Sequence, residues 1–571
     1  MFISEAARCG YPVLLKAAAG GGGKGMRVVR AAGEMGPAME LARSEAQRSF
    51  GDPRLLLERY LEEVRHVEVQ VLGDAHGHLM HLYERECSVQ RRHQKLVEES
   101  PSPMMTPALR SRMTKAALAV ARMIAYSGAG TVEFVVDAKT GAFFFLEVNT
   151  RLQVEHPVTE QVLSLDLVEL QIRVAERVSL PSLFPHCSPD PDPALPNVVL
   201  PPPLRGHAIE LRLCAEDPSS GFLPCTGPVL LWSPASAEGL RFDGDLRAGQ
   251  SVSIHFDPLL CKLIATGHDR PQALRRAVHA LRHSVLLGVV CNKEFLLRLL
   301  SHPLFQAGLA TTGFIDATLS SEPLSLMPPA FPQPLSDRTV LAAAAFAHQW
   351  TSDAQSRSLL RHLPSGWRNS PSRLLQRRFQ WPAEPSAASS HVHYQLLHPR
   401  SPSRLPLVFQ PFRIDHHFSS SDSSSDSDAT LLFSSAASLS LFPSPGPHLL
   451  SFALDTQRYT VHAIQGPDGA LHIHCAALEL VPTASLQPVS LLSSSHSDQD
   501  SSDASYVAPM PSRILQLHFA DGASLSPGDP VLTIESMKME VRILAKKPGR
   551  LQLYVSVGQL VDAGVEMFSI V

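Results

Sequence analysis

Along the N-terminal half of the chain, apolar positions alternate with polar ones in short runs, and between those runs they recur at three- and four-residue spacing. The first pattern predicts strands, because successive side chains of an extended chain face opposite ways; the second predicts helices with one buried stripe. Tyr11 to Ala17 and Met26 to Arg30 therefore read as strands joined by a glycine loop, Gly20 to Gly25, and followed by a helix from Glu34 to Phe50. Further strands are expected at Val67 to Leu72, Leu79 to Glu84, Thr131 to Val136 and Phe143 to Val148, with Pro107 to Met123 helical between them. Pro201 to Leu213 and Val229 to Ser253 continue a mixed α/β texture, and Arg270 to Leu300 reads as two helices around a short strand. The Pro-rich stretch Leu180 to Pro203 reads as a surface insertion.

After about Pro328 the periodicity weakens and Ser, Pro and His dominate, which marks a domain boundary. The runs Ser419 to Asp428 and Ser493 to Ser505 have nothing to bury, so the first is expected to be a disordered loop and the second a tether. The expected division is 1–60, 61–325, 326–492, a linker at 493–505, and 506–571.

The last of these segments repeats itself. Gly522, Gly528 and Ile534 recur at one constant offset as Gly558, Gly564 and Ile570; one residue out of phase, Pro511-Ser512-Arg513 is answered by Pro548-Gly549-Arg550. Two such halves of short strands are expected to pair into a small antiparallel β-barrel or sandwich, with Lys538 at a hairpin tip where they join. A turn lysine is ordinarily just solvated. Here Met537 and Met539 flank it, and flexible apolar side chains on a tip make sense where a protein docks.

With 571 residues and 44% hydrophobic content, the chain is long enough for several buried cores. A formal net charge of -4 gives no footprint for nucleic acid or an acidic membrane, and no apolar run approaches the roughly 20 residues needed to span a bilayer. The 8 cysteines are scattered, without zinc or disulfide spacing, which suits a reducing compartment. No signal or transit peptide is visible at the start.

Two segments carry chemistry. Lys16 followed by Gly20 to Gly25 is a phosphate-cradling candidate, since glycines let backbone N–H groups approach an anion; it is not a P-loop, because Gly25 stands where Ser or Thr is needed and the loop joins two strands. In Glu147 to His156, extended geometry would line up Glu147, Asn149, Arg151, Gln153 and Glu155 on one face, with Val148, Leu152 and Val154 on the other. A hairpin turning at Lys139-Thr140-Gly141 would set Glu133 opposite Glu147, and two facing carboxylates beside Asn149 suit Mg2+ or Mn2+.

These motifs, with Arg65-His66-Val67-Glu68 and Gln90 to Lys95, resemble the ATP-grasp biotin carboxylase from about Glu5 to Leu319. The C-terminal segment is similar to the biotin carboxyl carrier domain, with Ser536 and Ser512 as departures from its usual Ala and Gly; a lipoyl domain shares the architecture, but its lysine typically follows Asp. The resemblance implies an α+β multidomain chain: an ATP-grasp lid over 1–60, the rest of a biotin carboxylase core over 61–325, a β-rich middle domain that docks another subunit, and a flattened β-barrel biotinyl domain. It implies that Lys16, Gly22, Gly23, Glu58, His66 and His93 hold ATP, and that Glu133, Glu147 and Asn149 hold the metal. Lys95, Arg151, Gln153 and Val154 would surround bicarbonate, Glu155 would be the base, Arg212 would stabilise the biotin enolate, and Lys538 would carry biotin. Residue by residue, structural roles stay open for His66 and His93, and a solvated basic pair for Arg91 and Arg92.

The order of segments resembles α subunits of biotin-dependent acyl-CoA carboxylases, with Thr312-Gly313-Phe314-Ile315 favouring the 3-methylcrotonyl-CoA type over the propionyl-CoA type. The implied partners are a carboxyltransferase β subunit in a hetero-oligomer, biotin protein ligase and bicarbonate; the implied location is the mitochondrial matrix, in leucine catabolism. Relative to that family the N-terminal biotin carboxylase subdomain is expected to be missing. This leaves an incomplete biotinylated carrier or scaffold as the alternative reading.

Overall fold

The structure is a computed structural model that describes residues 2–19, 26–92, 94–192, 196–321, 326, 340, 342–345, 347–348, 375–380, 389–396, 407–417, 433–441, 448–454, 457–467, 470–477, 483–489, 506–536, 539–562 and 564–571. At the N-terminus, strands β1 (Val13–Ala17), β2 (Arg27–Val29) and β3 (Leu55–Arg59) form an antiparallel sheet in the order β2-β1-β3. Helices α1 (Phe2–Cys9) and α2 (Met35–Phe50) contribute Ala6 and Met35, which pack with Val13, Leu15 and Val29. β3 lacks the alternating burial that marks β1, so its sequence carries no strand period.

The centre of the chain is an eight-stranded antiparallel sheet. Its order is Leu240–Asp243, Leu259–Gly267, β9 (His207–Cys214), β6 (Gln94–Ser100), β5 (Leu79–Arg91), β4 (Val64–Gly73), β7 (Gly128–Asp137) and β8 (Phe143–Asn149). β4 shows how the sheet works. Val67, Val69 and Val71 pack with Leu109, Met113 and Ala117 of helix α3 (Pro107–Met123), while the alternate His66, Glu68 and Gln70 are also buried. A strand buried on both faces ordinarily reads as continuously apolar; here one of its two faces is a buried polar layer. At the other end, Ile209, Leu211, Val97 and Leu263 pack against the helices Arg270–His283 and Lys293–Ser301. Those helices, and the short strand Val285–Leu287 between them, match the pattern expected for Arg270 to Leu300.

The Pro-rich stretch is not a surface insertion. Leu180, Phe184, Val198 and Val199 are buried in the two cores flanking β4 and β5, and Val199 N–H bonds the carbonyl of Leu79. Proline spacing hid these four apolar anchors, which follow no strand or helix period.

Eight strands from Leu375–Gln380 to Thr483–Val489 close into an antiparallel barrel in sequential order, the first pairing with the last. The expected boundary near Pro328, the Ser419 to Asp428 run and the 493–505 tether lie outside the described residues. Among described helices none is long and apolar enough to cross a membrane.

The C-terminal repeat folds as two four-stranded sheets. The halves interlock: Ser524–Leu525 of the first pairs with Gly549–Leu553 of the second, and Leu560–Val561 of the second pairs with Ser512–Leu517 of the first. The repeated glycines have equivalent work to do, since Gly522, Gly528, Gly558 and Gly564 all take φ between +80° and +92°, a region open to Gly at no steric cost. Strands Pro530–Ser536 and Met539–Leu544 pair up to Ser536 opposite Met539. Lys538 itself lies outside the described residues.

Candidate active site

The polar layer of the sheet converges on Lys95, at the start of β6. Its Nζ lies 2.6 Å from Glu68 Oε2, 3.0 Å from Glu133 Oε1 and 2.6 Å from Glu155 Oε1. Register explains the gathering: Glu68 of β4 stands opposite Arg85 on one side and Glu133 on the other, so three charged side chains share one face in adjacent strands. Burial works against the ammonium, yet the carboxylates of Glu68, Glu155 and Glu133 keep Lys95 well above the usual lysine range. The same balance, burial against Lys95 and Arg85, holds Glu68 below its ordinary value, and burial against His66 and Lys95 holds Glu133 far below.

Arg85 sits behind this cluster and is fully buried. Nε donates to Glu68 Oε1 at 2.6 Å, Nη1 to Gln70 and Thr159, and Nη2 to Thr131 and Gln153. All of a guanidinium's N–H donors are thereby used, which is what allows the charge to sit in the interior. The sequence alone assigns no role to Arg85 or Glu68; the signal available is the alternation of Glu68 with the valines of β4 and the run Glu84-Arg85-Glu86 in β5.

Glu155 is buried and uses both oxygens, Oε1 on Lys95 and Oε2 on Arg212 Nη2 at 2.9 Å. Its position comes from a turn. β8 ends at Asn149, the chain bends, and Glu155 is the residue preceding helix α4 (His156–Leu163), so the extended run expected from Glu147 through Glu155 stops after Asn149. Gln153 still reaches the cluster, donating to Glu133 Oε1 at 2.7 Å. Arg151 does not: with strand alternation lost, it is exposed and donates to the neighbouring carbonyl of Leu152 at 3.3 Å. Val154 contributes its carbonyl, which accepts from Lys262 Nζ at 2.9 Å.

Glu133 stands directly opposite Glu147, as the hairpin argument required, and Asp137 caps the turn at Lys139 and Thr140. Asn149 Nδ2 lies 3.0 Å from Glu133 Oε1 and 3.4 Å from Glu147 Oε1. Two carboxylates around an amide form a hard oxygen donor set, and exchange of the amide N and O would present a third oxygen, so these residues fit a divalent ion such as Mg2+. His66, Glu68 and Glu133 also have ligand atoms grouped together, with His66 Nε2 at 3.0 Å from Glu133 Oε2. That contact gives His66 a partner in the carboxylate layer.

Lys16 Nζ pairs with Glu58 Oε1 at 2.6 Å across β1 and β3. Gly22, Gly23 and His93 lie outside the described residues. Arg91 is not part of a solvated pair: it is buried, bonds Glu216 at 3.0 Å and lies 4.2 Å over the Phe222 ring, whereas Arg92 is exposed.

Comparison with known proteins agrees with this architecture. Residues 2–183 match the model of the carbamoyl-phosphate synthase L chain ATP-binding domain, 210–317 the biotin carboxylase C-terminal domain, and 505–570 the biotin-requiring enzyme domain. The mitochondrial methylcrotonoyl-CoA carboxylase subunit alpha of Dictyostelium discoideum is 45% identical over 342 residues, which are 60% of this chain and 46% of that protein. The chain thus spans less than half the length of the first curated relatives it matches, with 41% for the mouse protein. The crystal structure of the Hydrogenobacter thermophilus 2-oxoglutarate carboxylase biotin carboxylase domain, in complex with MgADP, ADP and bicarbonate, superposes with a TM-score of 0.51 at 36% identity, covering 57% of this chain and 68% of that one. The rice relative, Oryza sativa subsp. japonica methylcrotonoyl-CoA carboxylase subunit alpha, is 34% identical over 591 residues, covering 99% of this chain and 74% of that protein. On that match, and with the three domain models in the matching order, this chain belongs to the family of methylcrotonoyl-CoA carboxylase alpha subunits.

Proposed function

We propose that this chain uses ATP and bicarbonate to carboxylate biotin carried on Lys538, and that a separate carboxyltransferase β subunit passes the carboxyl group to an acyl-CoA, 3-methylcrotonyl-CoA being favoured. The observation that carries the reading is the clamp on Glu155, one oxygen on Lys95 and the other on Arg212. A carboxylate held by one oxygen on each of two fixed cations is aimed, as a base that takes the proton of bicarbonate must be.

Bicarbonate is a poor electrophile, so its phosphorylation by ATP is the step that activates it. Lys95, enclosed by carboxylates yet still cationic, supplies positive charge beside Glu155 where phosphate and carboxylate oxygens would gather. Glu133, Glu147 and Asn149 would hold Mg2+ or Mn2+, which when bound offsets phosphate charge. Lys16, Glu58 and His66, with Gly22, Gly23 and His93, are proposed for ATP; Gln153, Val154 and Arg151 for bicarbonate, Arg151 after turning inward. Arg212, whose guanidinium is fixed by two carboxylates, meets negative charge developing on a ureido oxygen without reorganising.

The eight-stranded barrel is proposed to dock the β subunit, 506–571 to be the swinging carrier modified by biotin protein ligase, and the assembly to work in the mitochondrial matrix. The names of the relatives support the location and the acyl-CoA. The test is bicarbonate-dependent ATP cleavage stimulated by free biotin, together with streptavidin binding to the native chain. Streptavidin binding without ATP cleavage in a folded preparation would leave a biotinylated scaffold and sink the carboxylase reading.

A further inference from the structure

Behind Arg212 the sheet holds two carboxyl groups that the site described so far leaves unused. Glu98 of β6 and Glu210 of β9 are both fully buried and stand directly opposite each other in the antiparallel register. Cross-strand partners have Cβ atoms about 4.5–5.5 Å apart, so their carboxyl groups share one small space. Glu98 Oε1 is occupied: it accepts from Arg212 Nε at 2.7 Å, with Nη2 at 2.6 Å. The remaining three oxygens, Glu98 Oε2 and both of Glu210, have no hydrogen-bond donor among the described residues.

Three buried acceptors without a donor are untenable for two anions. The groups facing Glu210 are Glu98 on β6, Arg212 on β9 itself, Lys262 on the adjoining strand, and Glu155 at the start of α4. Neither cation is free for it: Arg212 is taken by Glu98 and Glu155, and Lys262 by the Val154 carbonyl and, at 3.4 Å, Asp243. Glu160 on α4 is turned toward Arg241. A proton is the donor that the arrangement lacks.

We infer that Glu98 and Glu210 form a proton-sharing acid pair, Glu210 donating its O–H to Glu98 Oε2, and that Glu98 is the positioning residue that fixes Arg212 against Glu155. With one proton the pair carries a single negative charge, spent on Arg212, and Glu155 remains the base. With none, a second anion would stand behind Arg212 and draw it away from Glu155. The titration behaviour agrees: burial, opposed by Arg212 and helped by Glu155, pushes Glu98 up to about 7, and burial with Glu98 beside it pushes Glu210 well above the carboxylate range. Because Arg212 is assigned to the biotin step only in the proposed function, the catalytic part of this inference rests on that reading.

The test uses the full-length chain with Glu210→Gln and Glu98→Gln. Glu210→Gln keeps the shape and replaces the O–H donor by an amide N–H. Infrared spectra at pH 7 should lose one protonated-carboxyl C=O band relative to the parent. The parent is penalised as pH rises above the ordinary carboxylate value, because its unfolded state ionises Glu210 and its folded state does not. Glu210→Gln should therefore raise Tm at pH 8 more than at pH 5. Neither measurement needs turnover, so a chain without carboxylase activity still decides whether the proton is shared. An unchanged infrared spectrum, or a Tm difference independent of pH, overturns the acid pair. In an active chain, Glu98→Gln should lower kcat for biotin-dependent turnover roughly 10²-fold with KM for ATP unchanged. Unchanged kcat would remove Glu98 from a positioning role, and should that variant not fold, Glu210→Gln still decides the pair.

Discussion

Lys95 and Lys538 belong to regions built on opposite principles. Around Lys95 the fold assembles three carboxylates from β4, β7 and the start of α4, and the ammonium is held charged in the interior. Around Lys538 the chain provides a two-fold scaffold whose core residues, Ile514, Ile534, Leu551 and Ile570 among them, lie in repeated positions. The first lysine works as a charge and needs partners; the second is proposed to lose its charge on modification and needs only presentation. Convergence demands long-range register, whereas presentation demands a stable local frame.

Substituting each lysine should separate the two. Lys95→Met leaves Glu68, Glu133 and Glu155 facing one another without their cation. We expect bicarbonate-dependent ATP cleavage to fall by roughly 10³-fold or more and stability to drop by about 3–5 kcal/mol in urea unfolding. Lys538→Arg should abolish streptavidin binding while leaving the urea transition and carboxylation of free biotin where they were. A Lys95→Met chain as stable and active as the parent would break the comparison.

A smaller effect tests the frame around Lys538. Gly558 has φ of +87° and its repeat counterpart Gly522 +80°. Alanine at either position should cost about 1–2 kcal/mol, seen as an earlier melt of the C-terminal unit with activity on free biotin retained. Similar losses from both substitutions would show that the halves contribute equally; a loss from only one would show that the repeat is no longer symmetric in energy.

The smallest effect concerns Ser536, where the carrier family usually has alanine. Its Oγ donates to the carbonyl of Pro511 at 2.9 Å and ties the strand leading to Lys538 onto the preceding turn, while Ser512 bonds Met510. Ser536→Ala should cost about 0.5–1.5 kcal/mol and leave biotinylation unchanged. Loss of biotinylation would mean that the hydroxyl sets the presentation of the tip.

Much of this was legible because local rules apply locally. Pro107 to Met123 reads as a helix from its spacing and folds as one, with Thr106 accepting the N–H of Leu109 at its start. The hairpin between β7 and β8 follows from the turn at 139–141, and with it the pairing of Glu133 with Glu147. β6 escaped because its run Gln94-Lys95-Leu96-Val97-Glu98-Glu99-Ser100 sets like residues side by side and so shows no alternation. Arg151 does not share the strand face that alternation gives it, because the chain leaves the sheet after Asn149. A solvated pair stays open for Arg91 in the sequence because two adjacent arginines say nothing about the Glu216 and Phe222 that a distant strand and turn bring to one of them.

The sequence by itself determined the repeat of the C-terminal unit, the Met-Lys-Met motif at its centre, the helix and hairpin periods, and the identities of Lys95, Glu133, Glu155 and Arg212 as residues to watch. The repeat, the helix and hairpin periods and the placing of Glu133 and Glu155 follow from short-range spacing, for which a few consecutive side chains suffice; Lys95 and Arg212 follow from the resemblance to the biotin carboxylase. Only the tertiary structure decided that Arg85 and Glu68 stand behind Lys95, that Arg212 and Lys95 hold opposite oxygens of Glu155, and that Glu98 meets Glu210 in the interior. Those facts depend on the register of strands far apart in the chain, where a shift of one residue sends every side chain to the other face.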